Sequence, residues 1–448
     1  MDRFFLSQTP WVSCSIILLS LFISSCKDDE EIILDTQTKA LVETLDQELK
    51  PLTINPLDWS DEELSFLDPL ANKKIIALGE STHGTAEFFD SKHRIFKYFV
   101  ENHDFKVFAF EADFGESLLI NDAVQRGASN EIEELMKSKM HFWTWRTEEV
   151  KNLLVWMSNY NQSKSEEDKL QYVGVDCQFN TFHPGMVRSY LNKTDATFFA
   201  SADEILIEAK SASEGYFAAY SLEQFETYLE KIDELKALMT NYKEELIEVS
   251  SEREFKLHVR ILEVIKQVSI VRYYRGDYTI NYRDKYMAEN TVWFNDYFDG
   301  NKIVLWAHNR HIADEPNYGG GGSMGHRLKQ DLTTDYTTIG FLFSRGSFTA
   351  VTQRGDQFRE LQTQTINANP KTNSINFVMS QGKQSVFALK TIDLQKYGEW
   401  NDAFANSIEI FEIGAAFNNN PSDYYFKFDP AFYEYIIYFD TTTASVLL

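Results

Sequence analysis

The chain has 448 residues, 43% of them hydrophobic and 15% aromatic, with 35 Phe and 22 Tyr. It is too rich in core-forming side chains for disorder to dominate, and long enough for two domains or one large domain with an insertion. Its 43 basic against 68 acidic residues leave a formal charge of −25 with no Lys/Arg stripe to offset it; such a surface repels a phosphate backbone, which excludes nucleic acid as a partner.

The N-terminus reads as an export signal. "MDRFF" carries Arg3, an apolar stretch runs from Val12 to Ile23, and the small residues Ser24 and Ser25 precede Cys26; the stretch is too short to span a bilayer comfortably. "LFISSC" resembles a bacterial lipobox. That resemblance implies a signal peptide over residues 1–25, lipid on Cys26, and an outer-membrane lipoprotein facing the periplasm or the cell surface. "KDDEE" is similar to the acidic tract that sends some lipoproteins to the surface. The bland alternative is an ordinary cleaved signal with an incidental Cys. With Cys14 in the signal and Cys26 lipidated, only Cys177 remains, so no intramolecular disulfide forms. Nothing later in the sequence is long and apolar enough for a transmembrane helix.

Residues 26–55 read as a tether and a first helix. Then come strand-like runs, each closed by a polar cluster and most followed by a helical pattern: "KKIIALGE", "FKVFAFEADF", "LQYVGVDCQF", "NKIVLWAHNRH" and "YTTIGFLF". Short apolar runs alternating with longer amphipathic segments predict an α/β fold, a mainly parallel sheet flanked by helices. Its first part covers 56–191 and its second 286–448. Between them, over 192–285, the strand signal disappears. Phe225, Leu229, Ile232, Leu235, Met239, Tyr242 and Leu246 recur at helical spacing, as do Leu257, Ile261, Val264, Val268 and Val271. The segment reads as an inserted helical cap, or as helices that merely cover one face of the sheet. "NYGGGGSMG" is either a mobile loop beside a site or a plain surface connection. "FYEYIIYFDTTTASVLL" reads as a last strand.

The ionisable residues gather at strand ends. Glu80 and His83 follow the first run, "FKVFAFE" ends at Glu111, "QYVGVD" at Asp176, and "KIVLWAH" at His308, with His311 three residues on. Open α/β sheets bind ligands beyond the carboxyl ends of their strands. Singly, each residue is more often a cap or turn residue than a catalyst. Together, two His and two or three carboxylates at equivalent positions are costly to desolvate and unnecessary for folding.

"GESTHGTAEFF" resembles the signature of the erythromycin esterase family. The resemblance continues in order through "VFAFEAD", "FWTWRTEEV", "YRGDYTINYRDKYMAEN", "VLWAHNRHIA", "MGHRLKQDLTTDYTTIGFLFSRGSF" and "YIIYFDTTTA". It implies a hydrolase that opens a lactone or other small-molecule ester, macrolide or not, by activating water, with no serine nucleophile, covalent intermediate, cofactor or required metal. Glu80, His83, Glu111, His308 and His311 fall on the family's acidic and His positions. The family's basic residue nine positions after the first His is Lys92 here, with Arg94 two further on. An imidazole titrates near neutrality, so His83 is the natural base. Glu80 or Glu111 would fix its tautomer, and His308 or Lys92 would meet the oxyanion, a contribution of about 3 kcal/mol. Lys92, Arg94, His311 and Arg146 are the expected substrate contacts. Of these, Arg146 lies in "HFWTWRTEEV", whose aromatics are otherwise core packing. "YRGDYTINYRDKYM" reads as a structural junction in which Arg283 and Asp284 pair.

Two other readings use the same atoms. The His/Glu cluster offers ligands for a metal-dependent hydrolase or protease. A non-catalytic lipoprotein that only binds a ligand is the third.

Overall fold

The computed structural model describes residues 33–193, 200–277, 279–355 and 357–448. The expected signal peptide and Cys26 lie outside the described residues. The strands, in chain order, are β1 (Lys50–Pro51), β2 (Ile75–Leu78), β3 (Val107–Asp113), β4 (Gln171–Asp176), β5 (Ile303–Trp306), β6 (Tyr336–Arg354), β7 (Gln357–Ile366), β8 (Val386–Lys390), β9 (Glu409–Phe411), β10 (Ala416–Phe417), β11 (Tyr425–Lys427) and β12 (Tyr435–Thr442).

Among the described residues the main sheet runs β1-β8-β12-β6-β2-β5-β3-β4, with β7 and β10 also on β6. All pairings from β12 to β4 are parallel; β1, β7 and β8 run antiparallel to their neighbours. The fold is the α/β arrangement expected, a mostly parallel sheet with helices around it.

The sheet is covered on both faces, which is why its strands read as unbroken apolar runs. Along β2, Ile75 and Ala77 enter one core cluster and Ile76 and Leu78 the other. Along β5, Ile303 and Leu305 alternate in the same way with Val304 and Trp306. Each fully buried Ile, Leu or Val among them contributes about 1.5–3 kcal/mol.

Between β4 and β5 the described chain is helical: His183–Leu191, Ala200–Glu214, Leu222–Asn241, Lys243–Glu248, Glu252–Tyr273 and Tyr282–Tyr297. Ser221 opens the third of these with a reciprocal capping box to Gln224, and Phe225, Ile232, Leu235 and Met239 pack into one cluster with Ile261, Val264 and Val268. The helix Tyr282–Tyr297 spans residue 285.

Two strands differ from their sequence reading. β6 continues eleven residues beyond "YTTIGFLF", because its far half is a hairpin arm paired with β7. β12 stops at Thr442; the tail beyond it docks by backbone bridges, Ala444 with Thr85 and Leu447 with Thr147.

Candidate active site

Four neighbouring strands, β2, β5, β3 and β4, end side by side and carry the polar cluster. After β2 the chain turns at Gly79, and Glu80 is fully buried. Its Oε1 pairs with His83 Nδ1 at 2.6 Å, and its Oε2 accepts from Lys92 Nζ at 2.8 Å and from Trp306 Nε1 at 2.6 Å. Burial alone would raise the Glu80 carboxyl; Lys92 and His83 hold it below its ordinary value. Burial in turn pulls Lys92 down to about 8, against the opposing charge of Glu80. An ionised Glu80 accepts from Nδ1–H, which fixes the His83 tautomer and leaves Nε2 as a lone pair. His83 Nε2 has no hydrogen-bond partner among the described residues, and the side chain is 13% exposed.

Glu111 sits where the β3–β4 register slips, between Phe110 and Asp113. Such a bulge re-aims a side chain. Its Oε2 accepts from the His308 amide at 2.8 Å, and its Oε1 accepts from Arg283 Nη2 at 2.6 Å. Burial would raise Glu111, but His311, Arg283 and His83 hold it far below the usual carboxylate range. Arg283 also donates to both oxygens of Asp176, at 3.0 and 2.8 Å, and lies 2.9 Å from His311 Nε2. His311 Nδ1 meets Asp284 Oδ1 at 2.5 Å. Burial would lower His311; Asp284 and Glu111 outweigh it and raise it.

His308 caps the short helix Asn309–Ile312, its Nδ1 accepting from the Arg310 amide at 3.2 Å. Burial, reinforced by His83 and His311, drives it well below its ordinary value. It is therefore neutral, with its proton on Nε2, and that buried atom has no partner among the described residues. The His83 and His308 rings stand 5.1 Å apart. Gly414, at φ +81°, fits against both: a Cβ there would lie 3.7 Å from His308 Nε2 and 3.9 Å from His83 Cδ2. One unpaired lone pair and one unpaired N–H thus border the same small space.

Of the residues singled out from sequence, Glu80, His83, Glu111, His308 and His311 come together. Lys92 does not reach the open side of the cluster: its side chain is fully buried, its ammonium 4.3 Å from the Trp306 ring centroid. It positions Glu80, which corrects the expectation of a substrate or oxyanion contact. Arg94 is turned away altogether, donating to Trp59 O and Asp61, because the two-position step from Lys92 rotates it off the helix face that meets the sheet. Arg146 follows Trp145, whose Nε1 donates to the Glu111 carbonyl; it is half-buried. The expected pairing of Arg283 with Asp284 is replaced by separate engagements: the guanidinium takes Glu111 and Asp176, and the Asp284 carboxylate takes His311. These two residues, with Asp176 and Trp306, complete the site in roles that sequence reasoning missed. Among the described residues no group of three or more His, Cys, Asp or Glu side chains is arranged to hold a metal ion.

A cleft of about 350 Å³ opens beside His311, walled by Arg283, Asp284, Tyr274, Tyr282 and Tyr318. Tyr318, in the glycine-rich loop, meets the His311 ring edge-on at 5.5 Å. That loop therefore borders the site.

The family model described as Erythromycin esterase matches residues 100–442, a span that starts after the Glu80–His83 turn and includes Glu111, Arg283 and both later histidines. Erythromycin esterase type II of Escherichia coli is 27% identical over 332 residues, 67% of this chain and 76% of that protein. A crystal structure titled as a succinoglycan biosynthesis protein superposes with a TM-score of 0.78 at 24% identity, covering 93% of this chain and all of that one. An erythromycin esterase mutant in its open conformation gives 0.63 at 18% identity, covering 88% and 97%. These two likenesses speak to the fold.

Proposed function

The chain belongs to the erythromycin esterase family, and from that premise we propose that it opens an ester or lactone by direct attack of water, with His83 as general base. The observation that carries this reading is the free Nε2 of His83, held by Glu80, across from the unpartnered Nε2–H of His308. Water bound between the rings gives its proton to His83 as its oxygen attacks the acyl carbon. The imidazolium so formed is stabilised by the buried Glu80 carboxylate. Negative charge growing on the carbonyl oxygen is met by His308, a donor that is already desolvated and needs no reorganisation. Collapse of the tetrahedral intermediate releases the alcohol, which takes the proton back from His83.

Arg283, fixed by Glu111 and Asp176, presents a rigid wall to the substrate cleft beside His311. The tyrosines of that cleft favour a substrate with apolar surface and scattered hydroxyls, a class to which macrolide lactones belong. The lipobox-like sequence at Cys26 supports a membrane-anchored location, which metabolic labelling with a radioactive fatty acid would check against Cys26→Ser.

The test is incubation with macrolides and simple aryl esters in ¹⁸O-water, with and without chelator. Gain of one labelled water in both cases is the expected result. Abolition by chelator would favour the metal-dependent hydrolase, and unchanged single-turnover hydrolysis by His83→Ala would remove His83 from the mechanism.

A further inference from the structure

In the helix that follows β3 and the segment that follows β4, a second hydrogen-bonded chain of side chains has no part in the chemistry above. Glu116, fully buried in the helix Phe114–Arg126, accepts from both the amide and Nδ1 of His141, at 2.9 and 2.7 Å. The far nitrogen of that ring, Nε2, lies 3.0 Å from the Thr181 hydroxyl. With Nδ1–H committed to a carboxylate, Nε2 is the acceptor and Thr181 the donor. The His141 ring is stacked flat on Phe179, centroids 4.1 Å apart and planes within 7°, so its orientation is fixed. Thr181 is exposed and borders a cleft of about 470 Å³ whose other walls include Leu119, Phe182, Met186, Tyr190 and His258.

This cleft is not the one beside His311. His258 borders the first and Val271 the second, and both belong to the helix Glu252–Tyr273; at 1.5 Å per residue they stand about 20 Å apart along its axis.

We propose that Glu116, His141 and Thr181 form a second, nucleophilic site at which Thr181 takes up an apolar acyl group from an activated ester. A buried carboxylate that orients an imidazole, which in turn accepts from an accessible hydroxyl, is the arrangement that activates a hydroxyl nucleophile whatever the fold around it. Thr181 Oγ1 attacks the acyl carbon as its proton passes to His141 Nε2. The bond from that carbon to the leaving oxygen breaks, and His141 returns the proton to the departing alcohol or phenol. Water then cleaves the acyl-Thr181 ester, giving the carboxylic acid and restoring the hydroxyl. The helix His183–Leu191 opens without a side-chain cap and contributes Gly185 to the same cleft, and in this proposal the Gly185 amide is the donor that meets the intermediate oxyanion.

The experiment uses the full chain bearing His83→Ala, which silences the first site, and p-nitrophenyl butyrate at pH 8. Burial pushes the Glu116 carboxyl up while His141 opposes it, so an alkaline medium keeps it ionised. The expected result is a burst of one nitrophenolate per chain and one butyryl group mapped to the peptide containing Thr181. Adding Thr181→Val removes both, and adding His141→Ala slows the burst about 10²-fold. Absence of a burst, an adduct mapped to another residue, or a burst that survives Thr181→Val overturns the proposal. Should His83→Ala not fold, the otherwise unaltered chain is treated with a fluorophosphonate: a label on Thr181 supports the second site, and a label elsewhere or none overturns it.

Discussion

At the scale of single residues, the site is organised by carboxylates that are themselves held in place. Glu80 serves three donors at once, from His83, Lys92 and Trp306. Glu80→Gln keeps the shape but loses the charge that the proposed mechanism uses to stabilise the His83 imidazolium, and it leaves the Lys92 ammonium buried without a counter-ion. Breaking one side of a buried pair costs about 3–5 kcal/mol. The expectation is a fall in kcat by about 10²–10⁴ together with a lowered urea midpoint. Adding Lys92→Met should recover stability but not kcat, and the two measurements together separate the roles. Arg283 makes a sharper case. Its fork reaches Glu111 and both oxygens of Asp176 at once, which a Lys point charge cannot do. Arg283→Lys should therefore raise KM and lower kcat despite the conserved charge. Steady-state kinetics equal to the parent protein would show that the fork is not used.

At the scale of elements, the strand ends do the positioning, and close backbone approach is what lets them meet. A Cβ on Gly79 would fall 2.0 Å from Asn309 Oδ1, and Asn309 in turn ties the short helix after β5 to Phe341 of β6 through two hydrogen bonds. Gly79→Ala would push that helix, and His308 at its cap, away from His83. Loss of most activity is expected, with a destabilisation of about 1–3 kcal/mol; full activity would mean that the His83–His308 spacing is not critical. The same strand ends explain what could be read in advance. Glu80, His83, Glu111 and His308 each follow a local apolar run, so a periodic signal close by in the chain announced them. Arg283 contacts Glu111 across 172 residues and Asp176 across 107; nothing local in "NYRDKY" marks that partnership, and a charged pair adjacent in sequence looked self-contained. Lys92 and Arg94 were indistinguishable as helix residues until the helix phase placed one on Glu80 and the other on Asp61. The far half of β6 went unread because partly exposed chain over Gly and Ser resembles a loop until its partner β7 is known.

At the scale of the whole molecule, stability and pH are tied together just behind the His83 and His308 rings. Glu412, two residues before Gly414, is buried with its Oε1 2.9 Å from the Tyr433 hydroxyl. Burial raises its carboxyl to about 7, although Arg310 works the other way, that guanidinium being engaged with Glu315 at 2.7 Å. A carboxyl raised on folding releases its proton from the unfolded chain first. Below about pH 4.5 both states are protonated and nothing changes. Between there and about pH 7 the unfolded chain gains charge freely while the folded one does not, so stability falls as pH rises, and the loss levels off above that range. A folded value of about 7 against the ordinary 4.5 corresponds to about 3 kcal/mol at most. Asp90, likewise raised to about 7 by burial and by Glu149 and Glu87, pulls in the same direction. His93 and His183, lowered by burial to about 4 and about 3, pull the other way below about pH 6.5, where the unfolded chain takes up protons that the folded one refuses. The net profile mixes these contributions, but a difference isolates one of them. Glu412→Gln keeps an acceptor for Tyr433 and removes the titration, so its urea stability should decline less than that of the parent between about pH 5 and pH 8, by about 2–3 kcal/mol. Equal declines in the two proteins would place the Glu412 proton elsewhere, and would leave the wall behind His83 and His308 charged near neutral pH.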